Sequence, residues 1–152
     1  SEGGLVNYEA WNFWEKNVKN NLSKIDANVS SRFILGKRMS KSLVLRMQEL
    51  IKSCKKKVYE NLDNVDVFFT PTVGVKPPEI KEVMQKDIYT YYNNLILSNT
   101  RIANIFNLCA IAMPIKKNNW LSLSIMAKEY NDERLLCVAY EIEKLIKQFR
   151  TI

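Results

Sequence analysis

Histidine is absent from the 152 residues, and cysteine, glycine and proline are scarce at three, four and four copies. Without histidine, a Cys-His dyad cannot be drawn from this chain alone. Cys54, Cys109 and Cys137 are far apart and odd in number, and none forms a CxxC pair, which removes a zinc site. The simplest reading is buried thiols in a reducing, cytoplasmic compartment, with no metal and no cofactor. Long apolar runs are missing too. The longest, residues 102–114, is interrupted by Asn104 and Asn107 and falls short of the roughly 18 to 20 residues a membrane span needs. Ser1-Glu2-Gly3-Gly4 has neither a basic nor an apolar region, so no signal peptide is visible. No membrane partner is expected.

What is present is globular: 47% hydrophobic and 26% charged residues, with enough length for the core of one domain. A net charge of +7 comes from 23 Lys and Arg against 16 Asp and Glu. The densest cluster is Lys52, Lys55, Lys56 and Lys57. Such a run can hold nucleic acid, but no RNP-like motif, zinc finger or heptad accompanies it. The solvated face of a helix is the preferred reading.

Periodicity supplies the elements. Trp11, Trp14, Val18 and Leu22 recur at helical spacing over residues 8–22, so an amphipathic helix is predicted with the tryptophans as core. A short helix from Ser30 should end near Gly36 as its C′ residue. Ser40 reads as the N-cap of a long helix to about Leu62, with Leu43, Met47, Leu50, Ile51, Cys54, Val58 and Leu62 on one face. Residues 65–70 form a buried strand stopped by Pro71 and followed by a stiff loop to Pro78. Residues 87–107 read as one helix. Cys109 to Met113 is a second strand, residues 116–119 a polar turn, and residues 120–127 a third, half-buried strand with Leu121, Leu123 and Ile125 inward. Asn131 or Asp132 caps a final helix striped by Leu135, Leu136, Ala139, Ile142, Leu145, Ile146 and Phe149. No linker or repeat divides the chain, so residues 1–152 are read as a single unit. The fold class is α/β, helices packed on a few strands of a mixed sheet. Three strands apolar on both faces belong inside a larger, helix-covered sheet.

Four stretches together resemble the C-terminal third of the amidase-signature family. Val65-Asp66-Val67-Phe68-Phe69-Thr70-Pro71-Thr72 is similar to its "D-v-l-l-t-P-T" strand. Thr100, Asn104, Ala110, Ile111 and Pro114 match "T-x-x-x-N-x-x-G-x-P-A-I-S-x-P". Leu123, Ile125, Lys128, Asp132, Glu133, Leu135, Leu136, Val138 and Ala139 are in register with "V-G-L-Q-I-I-G-K-x-x-D-E-x-x-L-L-x-V-A". Ser1-Glu2 and the segment from Arg32 to Gly36 fit the landmarks "S-E" and "R-x-x-x-G".

The resemblance implies hydrolysis of an amide C–N bond by a Ser–cis-Ser–Lys triad, with lysine as base in place of histidine. The family places all three triad residues before this segment, and no Gly-Ser-Ser run is present, so no catalytic residue is carried over. Ser23, Ser30, Ser31 and Ser122 are read as structural. The implied contribution is scaffold and pocket wall, with an N-terminal amidase segment as partner and a small-molecule amide as substrate. Arg32 matches a family arginine that holds a substrate carboxylate, for which a guanidinium is suited. An ordinary surface arginine is the alternative. Thr100 and Asn104 are a polar pair on an apolar helix that needs partners if buried, which makes them candidates for the pocket wall. Asn104 equally suits loop backbone. Asn107, Cys109, Trp120, Ser122 and Ala127 stand where the family has glycine or proline, which points to a reshaped site. Two other readings stay open: a non-catalytic interaction module derived from an amidase, and a basic nucleic-acid-binding domain.

Overall fold

The computed structural model describes residues 4–116 and 120–149, with Phe149 as backbone only. The Ser1-Glu2 landmark, positions 117–119 of the polar turn and the Phe149 side chain lie outside the described residues. The chain divides into two compact units, Ser1–Cys54 and Lys55–Ile152.

The first unit is helical. Helix α1 (Gly4–Val18) begins and ends four residues earlier than its periodicity suggests. Asn21 explains the early stop, because its side-chain amide donates to the Asn17 carbonyl at 3.0 Å, a local bond that competes with helix continuation. Trp11 and Val18 are buried as expected, together with Asn7. Trp14 is 48% exposed, at the margin of that stripe, and only one of the two tryptophans is core. A 3₁₀ turn at Leu22–Lys24 leads to α2 (Ala27–Arg38). The cap of α2 is Asp26, whose carboxylate accepts from the Asn28 N–H at 2.9 Å, so the helix starts before Ser30.

Gly36 is not a C′ residue. It lies inside α2, and a Cβ there would sit 1.9 Å from the Asn7 carbonyl oxygen of α1. The glycine is needed for close backbone approach of two helices, a role that sequence position alone does not reveal. Helix α3 (Lys41–Asn61) begins as read, with Ser40 Oγ accepting from the Leu43 N–H at 3.2 Å. Of the predicted stripe, Met47, Ile51, Cys54, Val58 and Leu62 are half-buried as read. Val44 is buried, whereas Leu43 and Leu50 are exposed.

The second unit carries the sheet. Strand β1 (Phe68–Pro71), β2 (Cys109–Pro114) and β3 (Ser122–Ala127) are ordered β1-β3-β2. Both pairings are antiparallel, with Phe69 and Ile111 each opposite Ile125. The expected alternation in β3 gives way to four consecutive buried residues, Ser124 to Ala127, because a central strand is covered on both faces. The continuous apolar character expected of an inner strand is thus seen in β3.

Between β1 and β2 the predicted single helix is two, α4 (Lys86–Leu97) and α5 (Thr100–Phe106). Ser98 Oγ donates to the Leu95 carbonyl at 2.7 Å and Thr100 Oγ1 to the Leu97 carbonyl at 3.2 Å. These side chains take up carbonyls that a continuous helix would use for backbone bonds. Helix α6 (Asp132–Phe149) lays Leu135 and Ala139 on Met113, Ile125 and Ala127, with Ile142 and Ile146 packed alongside. Leu136 and Leu145, read as part of this stripe, are more than half exposed. Cys137 is also an exposed thiol and not a buried one, since it is two residues past Leu135 and faces away from the sheet. No helix of the described residues is long and apolar enough to cross a membrane.

Candidate functional site

Polar side chains of the second unit converge on Tyr59, near the end of α3. Its hydroxyl lies 3.2 Å from the carbonyl oxygens of both Phe106 and Asn107, to which it donates, and accepts from the Glu129 N–H at 3.3 Å. Lys55, one turn earlier, bonds the Glu129 carboxylate at 2.9 Å and sits 4.9 Å from the Tyr59 ring centroid. Lys128 pairs with Asp63 and approaches the same ring at 5.9 Å. The hydrogen bond to Glu129 holds the Lys55 ammonium above the ordinary lysine value against the opposing cost of burial, with Tyr59 adding to the rise. The lysine run is therefore not uniform. Lys52, Lys56 and Lys57 are exposed as expected, but Lys55 belongs to this node.

The node grips two turns of unusual backbone. Asn107, which ends α5, has φ 53° and ψ 49°, and Tyr130, beside Glu129, has φ 66°. Asparagine tolerates the left-handed region better than other non-glycine residues, so Asn107 makes this turn without a glycine. Sequence reading missed Tyr59. Its available signal is a hydroxyl-bearing ring beside the apolar stripe of α3, one helical turn after a lysine.

The Thr70-Pro71-Thr72 motif forms a second polar patch. Ser124 Oγ donates to Thr72 Oγ1 at 2.9 Å, and the Asn99 side chain donates to the Pro71 carbonyl at 2.7 Å. Thr70 Oγ1 is buried and has no hydrogen-bond partner. Beside β1 lies a shallow, mostly apolar cleft of about 250 Å³ lined by Val58, Asn61, Leu62, Phe68 and Ile102. It holds no ionisable group, so it offers packing and no acid-base chemistry.

The three residues singled out for substrate binding fall in different units. Arg32 lies half-buried on α2 of the first unit, one turn before Gly36 and on the same helix face. It has no carboxylate ion pair among the described residues. Thr100 and Asn104 share one face of α5 in the second unit, and neither lines the cleft. Thr100 spends its hydroxyl on the carbonyl of Leu97, the last residue of α4, while Asn104 is exposed. Ser30 and Ser31 donate to carbonyls three residues back, the structural role expected of them. Cys109 is a half-buried thiol, raised in pKa first by desolvation and then by its bond to Asp132. Among the described residues no group of three or more His, Cys, Asp or Glu side chains is placed to hold a metal.

Comparison with known proteins agrees with this layout. The family model described as Amidase matches residues 7–136. The 2-amino-5-chloromuconic acid deaminase of Comamonas testosteroni is 28% identical over 149 residues, covering 96% of this chain and 32% of the relative. A glutamyl-tRNA(Gln) amidotransferase subunit of Sulfurisphaera tokodaii is 26% identical over 160 residues, again 96% of this chain and 32% of the relative. A crystal structure of an amidase superposes with a TM-score of 0.71 at 16% identity, covering 92% of this chain and 33% of that one, which is a likeness of fold. The chain spans about a third of the length of the curated relatives it matches and corresponds to the C-terminal part of longer amidases. The match runs through both compact units and takes in α1, the Thr70-Pro71-Thr72 strand, the α5 turn and the start of α6, and on that span the chain belongs to the Amidase family.

Proposed function

We propose that this chain is the C-terminal portion of an amidase-type hydrolase, in which both compact units belong to one amidase-signature domain. The observation that carries the reading is the family match over residues 7–136, combined with relatives about three times as long. In this reading a Ser–cis-Ser–Lys triad on an N-terminal amidase segment breaks the C–N bond of a small-molecule amide. A lysine there takes the proton of the nucleophilic serine through the cis-serine, the serine oxygen attacks the carbonyl, the amine leaves carrying that proton, and water then hydrolyses the acyl-serine to release the acid and restore the serine. The names of the relatives, a deaminase and a component of an amidotransferase, share chemistry at a C–N bond.

The present chain supplies scaffold and pocket wall. Arg32 holds a substrate carboxylate, a role supported by its half-buried position and the lack of a protein carboxylate beside it among the described residues. Thr100 and Asn104 contribute polar wall on α5. The three unbridged thiols support a cytoplasmic setting.

The reading is tested by co-expressing the chain with the N-terminal two thirds of the Comamonas testosteroni relative and following ammonia release from simple primary amides. Turnover by the pair, absent from either part alone, is the expected result. A folded pair without turnover would overturn it. Within the active pair, Arg32→Ala is expected to raise KM about 10- to 100-fold for amides bearing a carboxylate, the loss of a charge-assisted bond, and to leave neutral amides unchanged. Equal effects on both substrates would remove the carboxylate role.

A further inference from the structure

Helix α5 is only seven residues long, too short to hold its place through its own hydrogen bonds. Its position is set from outside. Ala103 is buried, and Ile102 lines the cleft with Val58 and Leu62 of α3 and Phe68 of β1. These contacts decide which side of α5 faces inward. Apolar contact is non-directional, however, and leaves the tilt of the helix undecided.

Hydrogen bonds decide the tilt, one anchor at each end. Just before the helix, the Asn99 side chain donates to the Pro71 carbonyl at 2.7 Å. At the far end, the Tyr59 hydroxyl lies 3.2 Å from the carbonyl oxygens of Phe106 and Asn107. A hydroxyl has one proton to donate and lone pairs to accept with. Here the Glu129 N–H occupies the acceptor side at 3.3 Å, which leaves the proton for α5. The Glu129 carboxylate is itself held by Lys55 at 2.9 Å. Tyr59 thus grips the end of α5 from a fixed point.

Asn104 stands two residues before Phe106 and is exposed. Thr100, its neighbour on the same face, has already spent its hydroxyl on Leu97. Of the two, Asn104 is the one with a polar group to present. A carboxamide, with an acceptor oxygen and two N–H donors, is complementary to a primary amide.

We infer that Tyr59 is a positioning residue for substrate: by holding the last carbonyls of α5, it sets the aim of Asn104 at the amide group. This inference rests on the amidase reading above. Asn104 holds substrate and transition state alike, so its misplacement changes KM and leaves kcat in place.

The test is steady-state kinetics with propionamide on the full 152-residue chain paired with the N-terminal two thirds of the Comamonas testosteroni relative. Tyr59→Phe is expected to raise KM about three- to tenfold, the size of one neutral hydrogen bond, with kcat unchanged. Asn104→Ala raises KM by a similar factor. The double variant raises it no further than Asn104→Ala alone, because the hydroxyl acts through that side chain. Ile125→Val, a mild loss from the core under α6, leaves KM as it was.

The inference is overturned if Tyr59→Phe lowers kcat at constant KM, if the two KM effects multiply, or if Ile125→Val raises KM as much as Tyr59→Phe. A Tyr59→Phe chain that does not fold makes the hydroxyl a stability element and overturns it too. An unsubstituted pair without turnover removes the amidase reading and this inference together. Turnover with the same KM in Tyr59→Phe removes this inference alone.

Discussion

The two compact units differ in how deeply their best-buried residues lie, although both leave apolar side chains such as Phe13 and Ile80 exposed. In the sheet unit, Ile125, Met126 and Ala127 are at most 2% exposed, because the strand that carries them is covered on both faces. In the helical unit the buried apolar residues are Trp11, Val18 and Val44, while Val6, Phe13, Leu45 and Leu50 are each at least 60% exposed. The difference follows from geometry. A central strand presents two faces to cover and a helix one stripe, so consecutive residues are buried in β3 and only spaced ones in the helices. The helical unit instead depends on close backbone approach at one point, Gly36 against Asn7.

That contrast can be broken most forcefully at Gly36. Gly36→Val places a branched side chain on backbone atoms that no rotamer change can move, and should cost about 4 kcal/mol or more. The loss is read as early exchange of the α1 and α2 amides in native-state hydrogen exchange. Unchanged protection there would mean that the crossing is not what holds the helices. Ile125→Ala is the counterpart in the sheet unit, expected to cost about 2–5 kcal/mol through the cavity it leaves, measured from the urea midpoint. A loss below about 1 kcal/mol would show that the sheet relaxes around it. Tyr59→Phe removes the shared hydroxyl and should cost about 1–3 kcal/mol, with faster exchange at the Glu129 amide as its local signature.

The smallest effect concerns Cys109, whose thiol is pushed above the ordinary value by burial. A raised pKa favours the neutral thiol in the folded state. The associated stability is present below the ordinary thiol pKa and declines as pH rises through the folded value. Iodoacetamide at mildly alkaline pH should label exposed Cys137 first and Cys109 last, by mass spectrometry. Faster labelling of Cys109 than of Cys137 would contradict its partial burial and raised pKa.

Much of the layout is legible in the sequence because local chemistry and tertiary packing agree. Ser40 caps α3, the apolar run at Cys109 makes a strand, and the register of Leu135, Ala139, Ile142 and Ile146 faces the sheet. Sequence reading fails where a tertiary contact decides the matter. Gly36 looks like a helix terminator until Asn7 is seen against it. Residues 87–107 carry a continuous helical pattern, and only the hydroxyls of Ser98 and Thr100, with Asn99 reaching Pro71, explain the break. Leu43, Leu50, Leu136 and Leu145 satisfy a stripe by spacing but lie on its margins. For the site, Arg32, Thr100 and Asn104 stand out by resemblance, whereas Tyr59 has no motif. Its partners are backbone groups 47 and 70 residues away in sequence, which no local pattern encodes.

The strand order β1-β3-β2 has a consequence for synthesis on the ribosome. Among the described residues both outer strands pair with β3 alone, and β3 is made last of the three. Phe68 to Pro71 therefore waits some fifty residues of translation for its partner at Leu123 to Met126. Until then β1 and β2 emerge as unpaired apolar segments, and the sheet closes in a late step dominated by long-range contacts, which is slow and exposed to misassembly. A ribosome stalled before Ser122 would hold a nascent chain with two strands and no sheet.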